Sequence, residues 1–308
     1  MGVRMGSKPK PKPGAGEEWT VRRVLEWTKG YLRRGGVKQA RFEAEVLLAH
    51  ALGVERLELY LHPERVLTAE ERARFRELIK QRREGKPLQY LLGEVEFMGL
   101  KLRVNEQVLI PRPETEELVE LILKEMGDEG RGERELEVLD LGTGSGAIAL
   151  ALAKLLPRAR VTAVDISPGA LRLAEENAKR NGLEGQVRFL LSDWFSRVEG
   201  EFDLIVANPP YVAREEVKTL PREVREHEPP LAWDGGREGL EALRRIIAAA
   251  PCYLRPGGRL YLEIGAAQGE KVRRLVLATG AFDGLEVFLD LGGRERHLRA
   301  IRKARLSC

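Results

Sequence analysis

The chain has 308 residues, 43% of them hydrophobic, enough for one large α/β domain and a smaller one. Lysine and arginine number 52 against 48 acidic residues, interleaved to a net of +4, which describes a solvated surface rather than a dedicated nucleic-acid-binding protein. Two distant cysteines, Cys252 and Cys308, exclude a disulfide framework, four isolated histidines suggest no metal centre, and the lack of a long apolar run or cleavable leader predicts a cytoplasmic protein without membrane spans.

Residues 1–16 contain Lys8-Pro9-Lys10-Pro11-Lys12-Pro13, a composition that cannot bury apolar area and is expected to form a disordered tail. Residues 17–92 carry helical periodicity throughout. Thr20 is placed to cap a helix bearing Val21, Val24, Leu25 and Tyr31. A second helix over Gln39–Leu52 aligns Ala44, Leu47, Leu48 and Leu52 on one face. Thr68 and Glu71 form a capping-box pattern ahead of Phe75, Leu78 and Ile79. A small helical domain follows, with no catalytic spacing in it.

Within 93–112, Val95 and Phe97 alternate before Gly99, and Leu100, Leu102 and Val104 alternate after it. This predicts a hairpin linking the helices to a second domain, 113–308. Leu109-Ile110-Pro111-Arg112-Pro113-Glu114 then leads into a helix carrying Leu118, Leu121 and Ile122. From there strands and helices alternate. Strands are expected at Leu136–Leu139, Val161–Val164, Val187–Leu190, Leu204–Ala207, Arg259–Leu262, Leu285–Leu289 and His297–Ile301. Helices are expected at Ala147–Leu156, Pro168–Asn181, Leu240–Ala250 and Gly269–Ala278. The pattern implies an α/β fold, a seven-stranded doubly wound sheet whose last two strands pair antiparallel around Gly292-Gly293. That final hairpin is the methyltransferase variant of the doubly wound architecture.

The first strand runs into Asp140-Leu141-Gly142-Thr143-Gly144-Ser145-Gly146. Glycines permit a tight turn and close approach of a ligand, and alone they also fit a dinucleotide fingerprint loosely. The acids separate the readings. Asp140 stands where a carboxylate can hold a cationic amino group, and Asp165, followed by Ile166, ends the second strand where an acid can accept two ribose hydroxyls. After the third strand, Asp193 is placed to take an adenine amine with Trp194 packing beside it. The set matches S-adenosylmethionine.

The sharpest signal is Asn208-Pro209-Pro210-Tyr211, directly after the apolar strand Leu204–Ala207. Two prolines hold Asn208 rigidly at the strand end where open α/β sheets bind ligands. A conjugated NH2 group is a poor nucleophile. Accepting both of its hydrogens, with Asn208 Oδ1 and the Pro209 carbonyl, orients it and raises electron density on nitrogen. Tyr211 offers a flat face, and Pro210 stiffens the wall. Both a glutamine amide and the exocyclic amine of adenine satisfy this chemistry.

From Glu17 onward the chain resembles the HemK/PrmC family of protein glutamine methyltransferases. The resemblance is carried by Gln89–Gly93, Ile110–Glu116, Asp140–Gly146, Asn208–Tyr211, Glu228–Ala232 with Gly235-Gly236, Glu263–Gly265, and Asp290-Leu291 with Arg294. It implies S-adenosylmethionine as cofactor and the glutamine of the Gly-Gly-Gln tripeptide of class-1 peptide-chain release factors as acceptor. The helical domain would recognise the substrate. It further implies that Phe97 packs near the acceptor and that the loop of Pro111 and Thr115 lies over the cofactor. The aperiodic segment from Val212 to Arg237 reads as a lid shaping the peptide pocket. No direct nucleic-acid partner is required, and a monomer is expected. Rival readings are an adenine methyltransferase, a glutamine methyltransferase acting on a ribosomal protein, and a non-catalytic module binding translation factors. A nicotinamide oxidoreductase would leave Asn208–Tyr211 unexplained.

Overall fold

The computed structural model describes residues 18–131 and 135–304, so the expected tail, residues 1–16, and Cys308 lie outside the described residues. The chain divides into two compact units, one extending to Leu92 and the other beginning at Gly93.

The first unit contains α1 (Val21–Arg34), α2 (Ala40–Leu52), α3 (Glu58–Leu61), α4 (Ala69–Arg83) and α5 (Leu88–Leu92). Thr20 caps α1 by accepting the Arg23 N–H, and Thr68 and Glu71 close a reciprocal capping box on α4. Each cap satisfies donors that a helix start leaves open and contributes about 1 kcal/mol. Leu32, Leu47, Leu48, Phe75 and Ile79 form its core. A buried ion pair, Glu43 with Arg82, ties α2 to α4. The short α3 and α5 contain too few residues to show a helical period.

The second unit opens with an antiparallel hairpin, β1 (Glu94–Phe97) and β2 (Leu100–Arg103), turning at Met98 and Gly99, both with positive φ. It continues with α6 (Pro113–Arg131), β3 (Leu136–Leu141), α7 (Ala147–Leu155), β4 (Ala159–Asp165), α8 (Pro168–Arg180), β5 (Val187–Leu191) and β6 (Phe202–Ala207). Then follow α9 (Arg222–His227), α10 (Glu241–Tyr253), β7 (Leu254–Glu263), α11 (Gly269–Ala278), β8 (Phe282–Leu289) and β9 (Glu295–Arg302). The hairpin is built into this unit's core: Phe97, Leu100 and Leu102 pack with Leu118 and Ile122.

The seven strands lie in the order β5-β4-β3-β6-β7-β9-β8. Strands β3 to β7 are mutually parallel, whereas β9 inserts antiparallel between β7 and β8. Both faces are covered, and the side chains alternate accordingly. Leu204 and Val206 of β6 enter the core that includes Leu118 and Leu152, while Ile205 and Ala207 enter the core that includes Ile246 and Val272. Strand order reverses between β3 and β6, which opens a crevice at their carboxyl ends.

The hydrogen-bonding groups of β2 that face away from β1 are also satisfied. Asn177 Oδ1 accepts the Arg103 N–H at 2.6 Å and its Nδ2 donates to the Arg103 carbonyl at 3.0 Å. One turn on, Asn181 makes the same pair of bonds with Lys101, each at 3.1 Å. The two amides act as a surrogate strand alongside β2. Asn177 Nδ2 also reaches the Ser145 carbonyl at 2.9 Å, linking the hairpin to the glycine loop.

Candidate active site

Gly142, Gly144 and Gly146 all hold positive φ, so the chain after β3 turns sharply in a conformation that only glycine adopts without strain. A Cβ on Gly142 would lie 3.4 Å from Trp194 Cζ3. Trp194 itself has φ 50, with its carbonyl held by Ser192 Oγ at 2.8 Å. Two acids brace this loop. Asp140 Oδ2 accepts Thr143 Oγ1–H at 2.6 Å and the Ala149 N–H at 3.2 Å. Asp165 accepts the N–H groups of Gly144 and Ser167, both at 2.9 Å.

Burial pushes Asp140 up to about 7 and raises Asp165 as well. Asp140 Oδ1 is buried without a hydrogen-bond partner. An acceptor in that state favours a nearby cation or donor, which fits the ammonium end of S-adenosylmethionine.

A cavity of about 940 Å³ opens at the carboxyl ends of β3, β4 and β6. Its walls include Gly142, Thr143, Gly144, Ser145, Asp165, Ile166, Asp193, Trp194, Asn208, Pro210, Pro111 and Thr115. Asp140, Gly146, Pro209, Tyr211 and Phe97 are not part of this wall. Phe97 is 1% exposed inside the apolar core. Asp193 lines the cavity in an ion pair with Arg245 at 2.8 Å. Pro229, Leu231 and Ala232, from the segment read as a lid, close another side. Arg112, beside Pro111, is salt-bridged to the buried Glu228 of that segment.

Behind Asn208 lies a chain of polar contacts. Asn208 Nδ2 donates to Thr115 Oγ1 at 3.0 Å, and Thr115 Oγ1 donates to Glu263 Oε2 at 2.7 Å. Tyr211 OH donates to Glu263 Oε1 at 3.1 Å. Arg296 approaches Tyr211 OH at 3.5 Å and bonds Asp290 at 3.3 Å. Gln268 Nε2 holds the carbonyls of Tyr211 and Gly239 at 2.9 and 3.1 Å. Gly239 has φ +72 and lies so close that a Cβ there would meet the Tyr211 carbonyl at 2.3 Å. Thr115 therefore supports Asn208 as well as lining the cavity. In the sequence Glu263 stands only within a motif, yet it carries the signal shared by Asp140 and Asp165, an acid at the end of an apolar strand.

Family models match both units. The PrmC N-terminal domain model matches residues 23–93, and the methyltransferase small domain model matches 116–224. The release factor glutamine methyltransferase of Geobacter sulfurreducens is 47% identical, covering 87% of this chain and 92% of the relative. The enzyme of the same name from Moorella thermoacetica is 45% identical, over 92% and 99%. The chain belongs to the release factor glutamine methyltransferase family. Among solved structures, a Pyrococcus furiosus methyltransferase aligns with a TM-score of 0.50 at 21% identity, over 67% of this chain and 90% of the other. The hMettl16 catalytic domain aligns at 0.53 and 16%, over 68% and 77%. These two share the fold. Residues of the glycine loop, Asp165, Asp193, Asn208 and Pro210 all line this one cavity.

Proposed function

We infer that the protein transfers a methyl group from S-adenosylmethionine to the side-chain amide nitrogen of a glutamine in a peptide-chain release factor. The acceptor we propose is the glutamine of the Gly-Gly-Gln tripeptide of class-1 factors, modified in the cytoplasm by a monomer that needs no nucleic acid. The helical unit contributes recognition of the factor. The release-factor substrate is supported by the relatives of that name, and amide-nitrogen chemistry by the tethering of Asn208 Nδ2 to Thr115, which leaves Oδ1 to face an acceptor.

Asp140 and the glycine loop would hold the amino-acid end of the cofactor, Asp165 its ribose, and Asp193 with Trp194 its adenine. When bound, S-adenosylmethionine supplies an electrophilic methyl on a sulfonium and is left as the thioether. Asn208 Oδ1 and the Pro209 carbonyl accept the two hydrogens of the acceptor NH2, which fixes its plane and raises its electron density. As nitrogen gains its bond to carbon it becomes acidic and releases a proton to water, so no strong base is needed. Pro229, Leu231 and Ala232 line one side of the cavity and would narrow it further on binding of the factor.

The test is a transfer assay with labelled S-adenosylmethionine, offering a release factor and adenine-containing DNA in parallel, with mass spectrometry to locate the methyl. Label on the Gly-Gly-Gln glutamine, abolished by Asn208→Ala, is expected. Label on DNA alone would overturn the choice of substrate.

A further inference from the structure

Glu263 takes no part in the chemistry above, yet it is 1% exposed at the carboxyl end of β7. Its carboxylate receives Thr115 Oγ1–H at 2.7 Å and Tyr211 O–H at 3.1 Å. A threonine hydroxyl has a single hydrogen. With that hydrogen directed at Glu263, Thr115 can only accept from Asn208, and Asn208 presents Nδ2 to it at 3.0 Å. The opposite rotamer of the amide would set a carbonyl against the lone pairs of Thr115. It would also turn an NH2 toward the acceptor's own NH2.

We propose that Glu263, acting through Thr115, is the positioning residue that fixes the Asn208 amide with Oδ1 toward the acceptor nitrogen. This role rests on the reading of Asn208 as the hydrogen-bond acceptor for that nitrogen.

The polarity of the relay depends on Glu263 being ionised. Burial pushes its carboxyl up to about 7, against the pull of Arg296. Glu114 of α6 adds negative charge, Arg296 of β9 is also paired with Asp290, and Tyr211 stays a phenol because burial raises it further. His297, the register partner of Glu263 on β9, is engaged with the Glu114 carbonyl at 2.8 Å, and burial lowers it. Once protonated, Glu263 can offer its own hydrogen to Thr115, whose hydroxyl is then free to turn toward Asn208 and release the amide.

The full-length enzyme, with S-adenosylmethionine and a release factor, tests this through kcat and KM of Thr115→Val, Thr115→Ser, Glu263→Gln and Asn208→Ala. Thr115→Val, which keeps the shape and loses the hydroxyl, is expected to lower kcat on the order of tenfold to a hundredfold, with KM for S-adenosylmethionine within about twofold. Thr115→Ser should retain most of kcat. Glu263→Gln should lower kcat similarly and remove the acid limb of the kcat–pH profile near 7. Should that variant unfold, the valine and serine pair decides alone. Wild-type kcat in Thr115→Val beside an inactive Asn208→Ala overturns the positioning role, as does a rise confined to the cofactor KM. Wild-type turnover in Asn208→Ala removes the reading of Asn208 and this role with it.

Discussion

Asp165 accepts the backbone N–H of Gly144 at 2.9 Å, so the acid ending β4 holds the loop that leaves β3. Its second oxygen accepts the Ser167 N–H at the start of α8. Burial raises the Asp165 carboxyl, and these two donors oppose that shift by favouring its anionic form. One carboxylate thereby couples two strand ends and a helix start on one wall of the cavity.

Asp165→Asn replaces an accepting oxygen with an NH2 that confronts a backbone N–H. The affinity for S-adenosylmethionine is expected to fall on the order of tenfold or more, since an unpaired buried donor costs about 1–3 kcal/mol. Turnover at saturating cofactor should change much less. Titration calorimetry gives the affinity, and an unchanged Kd would refute the bracing role.

Asp140 makes a different prediction. Its carboxyl rises from 3.8 to about 7 in the folded protein. Between those values the folded state keeps a proton that the unfolded chain has released, so this group's contribution to stability declines as pH rises through the window and is level above it. Asp140→Asn, uncharged throughout, should raise Tm at pH 8 by about a few degrees and weaken cofactor binding. A lower Tm at pH 8 would show that the anion is already stabilised.

The Arg112–Glu228 ion pair joins the loop before α6 to the lid. Arg112→Met leaves the Glu228 carboxylate buried without its cation. Breaking a fully buried pair costs about 3–5 kcal/mol, and the part-exposed Arg112 argues for less. Faster proteolysis within 212–237 and a raised KM for the release factor are expected. Adding Glu228→Gln should restore protection in part, and identical cleavage rates would disconnect the pair from the lid.

Asn177 is wholly buried and serves both Arg103 and Ser145. Asn177→Ala strands several backbone groups at once, with an expected loss on the order of 2–4 kcal/mol in denaturant unfolding. Asn177→Asp should fail similarly, because a carboxylate cannot donate to the carbonyls of Arg103 and Ser145.

Much of the fold can be read from local signals. The apolar runs of β3 and β6 are bounded by Asp140 and Asn208, and Thr68 with Glu71 marks the start of α4. The start of β7 is hidden because Pro256-Gly257-Gly258 resembles a turn, although pairing begins at Leu254. The insertion of β9 is equally hidden, since strand order depends on long-range pairing rather than on local pattern. In the site, Asn208 and the glycine loop announce themselves by short spacing. Glu263 and Arg296 do not, because they meet Tyr211 only through the register of β7 with β9.

The same register sets an order of assembly. Strand β8 precedes β9 in the chain but touches the rest of the sheet only through it. While a ribosome is still making β9, β8 has no neighbour to join, and the edge of β7 that will pair with β9 stands open. The helices and the strands β3 to β7 all precede β9 in the chain and can pair before it is made, whereas β8 must wait for it. The polar chain behind Asn208 and Tyr211 is thus completed only when β9 has been made, and nascent chains short of β9 hold the glycine loop without Arg296 beside Tyr211.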